Sequence, residues 1–153
     1  MILSKDPSVD VARIKEQLSR NKAKIKLCLA ACASCSLCAE SCFLFMNQDQ
    51  DPQYMPSFKV IKSLGILFKK GGRVSRAQLE NMRDLVWKNC VLCSRCYCAL
   101  GIDIPSMISL TRSILRSQGF CGAYPRTMGA PEDDYILDSK PAERSQETQG
   151  EQT

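Results

Sequence analysis

Apolar positions along the chain recur at helical intervals, and no stretch of useful length alternates in the two-residue rhythm of a strand. Ser8 or Asp10 suits an N-cap for a first helix carrying Val11, Ile14, Leu18, Ile25 and Leu29. Phe43 to Met46 form a short apolar run expected to pack close to whatever the neighbouring residues bind. Asn47 to Pro56 is polar and proline-containing, a loop by composition. From Ser57 to Lys70 a second helix presents Phe58, Ile61, Leu64, Leu67 and Phe68, and Gly71-Gly72 stops it. Ser75 and Gln78 have capping-box spacing ahead of Leu79, Met82, Leu85 and Val86, on a helix that runs out at Trp87-Lys88-Asn89. Pro105, preceded by Asp103 and Ile104, opens a last helix through Met107, Ile108, Leu110, Thr111, Ile114 and Leu115 to Gly119. The pattern predicts an all-α protein.

Cysteine changes this picture most. Ten occur in 153 residues, and eight fall into two runs that interrupt the helices. Cys32, Cys35, Cys38 and Cys42 read C-x2-C-x2-C-x3-C, and Cys90, Cys93, Cys96 and Cys98 read C-x2-C-x2-C-x-C. Three cysteines at these intervals wrap three corners of a cubane iron–sulfur cluster, and a fourth thiolate from farther away closes it. In two-cluster proteins that fourth cysteine typically comes from the other run. The spacing therefore predicts two [4Fe–4S] centres, one on Cys32, Cys35, Cys38 and Cys98, the other on Cys90, Cys93, Cys96 and Cys42. The order helix, motif, two helices, motif, helix has the look of a diverged internal duplication. Cys28 and Cys121 remain, read first as small buried hydrophobes. Met46, Phe43 and Trp87 are expected to pack around the clusters and limit water access.

The alternative with the same residues is zinc. Two C-x2-C pairs build a four-cysteine zinc site, but zinc ribbons space their pairs ~15–20 residues apart. The two runs are much farther apart than that, and each has a third and fourth cysteine that a single zinc leaves unused. Histidine is absent, which removes mixed cysteine–histidine zinc sites, Rieske-type ligation and histidine base chemistry. A disulfide framework fits poorly with an N-terminus that lacks the pattern of a secretion signal. The expected location is the cytoplasm. No apolar run approaches the ~18 residues that cross a bilayer, so membrane association is expected only through a partner.

The formal net charge of +5 is unevenly spread. Residues 131–153 carry seven acidic and two basic side chains and few apolar ones, so the tail is expected to be largely disordered and the domain to end near 130. The basic remainder suits an acidic protein partner or simply covers exposed helix faces. Nucleic acid is disfavoured, because no aromatic and basic residues interleave in a reading motif.

The stretch from Cys32 to Gly119 resembles the small two-cluster electron-transfer subunit of heterodisulfide reductases. The residues that carry the resemblance are the first cysteine run, Phe58-Lys-Val-Ile-Lys-Ser-Leu-Gly65, Leu85-Val-Trp87-Lys-Asn-Cys90 and Gly101-Ile-Asp-Ile-Pro105. The resemblance implies an α-helical ferredoxin fold, shared with the iron–sulfur subunits of succinate dehydrogenase and fumarate reductase. It further implies a complex in which electrons pass between a flavoprotein or membrane-linked subunit and a catalytic subunit with Cys-Cys-Gly motifs. Two features depart from the family. Its second run normally ends Cys-x3-Cys-Pro, whereas only Tyr97 separates Cys96 from Cys98, and Phe43 and Ala99 replace the prolines. The shortened run leaves Cys121 or Cys28 as substitutes for Cys98, or that centre as [3Fe–4S]. The chain has no nucleotide loop, acid–base pair or substrate-pocket motif, and is expected to relay electrons without performing bond chemistry itself. The competing classes are a quinone-linked dehydrogenase subunit and a zinc-stabilised interaction module.

Overall fold

The computed structural model describes residues 9–122, and among these every regular element is helical. The expected acidic tail and the Ser8 cap lie outside the described residues. Helix α1 (Val11–Arg20) starts at Asp10, whose carboxylate accepts from the Arg13 amide at 2.9 Å. The single first helix expected from sequence is broken. Asn21 interrupts it, its side-chain amide donating to the Gln17 carbonyl at 3.1 Å, and α2 (Lys22–Ala31) resumes beyond.

After α2 come two short helices, α3 (Leu37–Glu40) and α4 (Phe43–Asn47). The expected loop contains a 3-10 turn, Pro52–Tyr54, and ends where Pro56 opens α5 (Pro56–Val60). The rod that follows is one helix with a widened middle: α5, a π-helical turn (Ile61–Gly65) and α6 (Ile66–Lys69). Ser63 is buried, and its hydroxyl donates to the Lys59 carbonyl at the start of the widened turn. Sequence periodicity placed Ile61 on the buried face. It is exposed, and Lys59 is buried in its stead, because the rod is walled on two sides and not one.

Gly72 ends this rod at φ +77°, and a Cβ there would lie 2.8 Å from Ile14 Cγ2. Both the left-handed turn and the approach to α1 require glycine. Helix α7 (Arg76–Trp87) begins with the expected capping box, Gln78 N–H to Ser75 Oγ at 3.2 Å and Ser75 N–H to Gln78 Oε1 at 3.1 Å. Asp103 caps α8 (Ile104–Ser117), accepting from the Ser106 amide at 3.1 Å.

Helix α8 is the organising element: it packs against α1, α5, α7 and the π turn. Met107, Ile108, Ile114 and Leu115 on α8 meet Ile14, Leu64, Leu67, Leu79 and Val86 in one buried cluster. Each such side chain contributes on the order of 1.5–3 kcal/mol by leaving water. Cys38 and Cys90 belong to the same cluster, so both cysteine motifs are anchored in the core and open outward from it.

Candidate metal centres

The first motif leaves α2 at Cys32, whose backbone turns extended. Ser34 and Ser36 then adopt left-handed backbone, φ 53° and 63°, on either side of Cys35, and α3 brings Cys38 inward. Cys28, Cys32, Cys35 and Cys38 line a cavity whose open space, mouth included, is about 510 Å³. Cys98 reaches the same cavity from the second motif, followed by Leu100, Ile102 and Ile104, and Val60 and Ile61 close the far wall. No lining residue is charged.

The second motif repeats the device. Leu92 and Ser94, at φ 55° and 60°, flank Cys93. A non-glycine residue in this region costs ~1–2 kcal/mol, so the same pair of left-handed residues in both motifs marks a shape imposed for a purpose. Backbone curled in this way makes concavities that bind anionic groups, iron–sulfur clusters among them. Cys90, Cys93 and Cys96 line a cavity of about 330 Å³, together with Cys42 from the first motif, Phe43, Leu44, Lys59 and Ile108. The Leu92 amide donates to Cys90 Sγ at 3.4 Å, and the Cys42 thiol points at the Tyr54 carbonyl at 3.6 Å.

Two side chains hold the motifs in place. Ser41 joins them to each other: its hydroxyl accepts from the Tyr97 amide at 3.1 Å and donates to the Cys38 carbonyl at 3.2 Å. Arg112, buried on α8, donates through Nε and Nη2 to the Val86 carbonyl at 3.0 and 2.7 Å, and through Nη2 to the Cys90 carbonyl. Val86 lies in the last turn of α7, so its carbonyl has no partner within that helix, and Arg112 supplies one. The same guanidinium lies 5.3 Å from the Trp87 ring centre.

Burial, followed by the neighbouring thiols Cys90, Cys42 and Cys93, pushes the Cys96 thiol up to about 12, against the opposing pull of Lys59. Partly buried thiols that face one another do not all ionise unless a cation shares their charge, which is what a metal group supplies. Among the described residues no three Cys, Asp or Glu side chains are gathered closely enough for a single metal ion. Five thiols around the first cavity and four around the second, with no carboxylate in either lining, are a fitting donor set for cubane clusters.

The remaining sequence expectations divide. Cys28 faces the first cavity as a fifth thiol, while Cys121 is exposed and lines neither cavity. Phe43 lines the second cavity; Met46 is exposed and lines neither. Trp87 is buried in the core, close to the guanidinium groups of Arg112 and Arg116 and against the Gly122 backbone, and lines neither cavity. Sequence reading missed Lys59, Ser41 and Arg112. Lys59 sits among Phe58, Val60 and Ile61, and a cation in the middle of an apolar segment is the one signal that was available for it.

Residues 31–103 match the family model of the 4Fe-4S dicluster domain. The match begins just before Cys32 and ends at the Asp103 cap, so it takes in both motifs and all the helices between them. It supports an iron–sulfur, ferredoxin-like protein that binds [4Fe–4S] and serves in electron transfer. No curated protein and no solved structure matches the chain. Among the described residues no helix is long and apolar enough to cross a membrane.

Proposed function

We propose that this chain is a two-cluster electron-transfer subunit of a larger oxidoreductase of the heterodisulfide reductase type. Cys32, Cys35, Cys38 and Cys98 hold one [4Fe–4S] cluster, and Cys90, Cys93, Cys96 and Cys42 hold the other. The observation that carries this reading is the sorting of the eight motif thiols around two cavities, three from one motif and one from the other at each, with Cys28 beside the first set. Each cluster, when bound, takes up and gives back a single electron. The chain's own residues shape the two cradles and set how easily each is reduced.

A relay needs partners at both ends, and the exposed apolar side chains fit that need. Leu37 and Leu100 form the rim of the first cavity, and Phe43 and Val91 form the rim of the second; all four are exposed. Tyr97, within the second motif, is 65% exposed. Apolar surface gathered at cavity mouths is where a partner covers a site. The expected neighbours are a flavoprotein or membrane-linked donor and a catalytic subunit with Cys-Cys-Gly motifs, and the basic body favours acidic docking faces.

Anaerobic isolation of the native protein from its source cells, with identification of what travels with it, tests this function. A flavoprotein and a Cys-Cys-Gly subunit in the same particle, with cluster signals that follow the redox state of the particle, is the expected result. A chain that is isolated colourless and zinc-loaded, with no redox partner, overturns it.

A further inference from the structure

Lys59 is 1% exposed and is the largest fully buried side chain among the described residues. It stands in the wall of the second cavity beside Cys42, Cys90, Cys93 and Cys96, and its charge acts on Cys96. Among the described residues no carboxylate pairs with it, and no side chain or carbonyl accepts a hydrogen bond from its amine. A lysine whose stem is buried and whose amine stands unpaired on a cavity wall is favoured by negative charge beside it. Neutral thiols do not supply that charge. Four thiolates around a cubane do, because the assembly is net negative and gains one further negative charge on reduction.

The first cavity has nothing comparable. Its walls are cysteine, serine, alanine and branched apolar residues, and no cation reaches it. The contrast arises within one turn of one helix: Lys59 faces the second cavity while its neighbours Val60 and Ile61 face the first. The single backbone N–H to sulfur bond among the described motif residues, Leu92 to Cys90, also belongs to the second cavity. Net charge and hydrogen bonds to sulfur are two of the factors that set cluster potential.

We propose that Lys59 makes the second centre the easier of the two to reduce, so that an electron entering at the Cys32–Cys35–Cys38–Cys98 centre comes to rest at the Cys42–Cys90–Cys93–Cys96 centre. In that step the first centre loses the one electron the second gains, and no proton or further reactant is needed. Lys59 is a positioning residue for charge and is not a ligand. The inference rests on the two-cluster reading above and gives the relay a direction.

The test is an EPR-monitored redox titration of the full chain reconstituted with iron and sulfide, wild type against Lys59→Met and Lys59→Gln. Cys98→Ser and Cys42→Ser variants assign the two signals, since each perturbs one centre. In wild type the second centre has the higher midpoint. Loss of the amine lowers that midpoint by at least the equivalent of a tenfold change in equilibrium constant, about 59 mV for one electron, and leaves the first centre in place. A midpoint order that is reversed in wild type, or Lys59 variants with full iron content and unmoved midpoints, overturns the proposal and leaves the two-cluster reading intact. Should Lys59→Met load poorly, Lys59→Gln retains a polar donor of similar reach, and its midpoint gives the answer. A wild-type chain that assembles no clusters sinks both readings.

Discussion

Replacing Arg112 by methionine tests how the second motif is held. The guanidinium satisfies two buried carbonyls, Val86 through Nε and Nη2 and Cys90 through Nη2, and it stacks on Trp87. Each buried carbonyl left without a donor costs ~1–3 kcal/mol, and the lost ring contact adds ~0.5–2 kcal/mol. Methionine fills much of the volume and removes a buried charge, which returns part of the original desolvation cost. The balance is a loss of about 3 kcal/mol, concentrated where α7 delivers the chain to Cys90. At ~1.4 kcal/mol per factor of ten, local opening at the second centre becomes roughly a hundredfold more populated. Iron release to a strong chelator, followed by the fading of the two EPR signals, reads this directly, since attack on an opened state tracks its population. Arg112→Met should lose the Cys90-motif signal first and up to a hundred times faster than wild type. Arg112→Lys keeps the charge without the fork and should fall between the two. Unchanged release kinetics in Arg112→Met, or equal acceleration at both centres, refutes the reasoning.

Three further perturbations probe other parts of the account. Ser41→Ala removes the bond that ties Tyr97 to the first motif, at a cost of ~1 kcal/mol, and should disturb the spectra of both centres together; a change at one centre only contradicts the bridging role. Ser94 is exposed with left-handed backbone, so Ser94→Gly should leave thermal stability unchanged or raised while Ser94→Val loses ~1–2 kcal/mol. Equal melting of these two variants argues against the left-handed turn. Asp103 has its carboxyl held below the usual 3.8 by its hydrogen bonds to Ser106 and by Lys24. Because the folded value is depressed, the stabilisation is complete above pH ~4 and disappears as pH falls through the lowered value. Circular dichroism melts of Asp103→Asn beside wild type should show a gap that closes below that point, and a gap that widens in acid would falsify the assignment.

Much of the architecture was legible because the physics behind it is local. Ser75 and Gln78 make their capping box, Asp10 and Asp103 cap as short acceptors do, and Gly72 stands where the chain turns left-handed against Ile14. The cysteine intervals were equally plain, and the structure gathers Cys98 with the first run and Cys42 with the second around two separate cavities. What sequence did not show depends on long-range geometry. Nothing in the order of residues says that Arg112 on the last helix finds the carbonyls of Val86 and Cys90, or that Ser41 meets Tyr97. Periodicity misplaced Ile61 and passed over Lys59 because it assumes one buried side per helix, whereas the rod from Pro56 to Lys69 separates two cavities. Asn21 broke the first helix by a side-chain bond that a hydrophobic pattern does not register.

The most direct measurement of the central claim is the metal and acid-labile sulfide content of anaerobically reconstituted full-length protein, taken together with its EPR spectrum after reduction. Two cubanes predict about eight irons and about eight sulfides per chain and two interacting signals, with Cys98→Ser and Cys42→Ser each damaging the centre fed mainly by the opposite motif. One or two zinc ions per chain, no sulfide and no signal would contradict the account at its root.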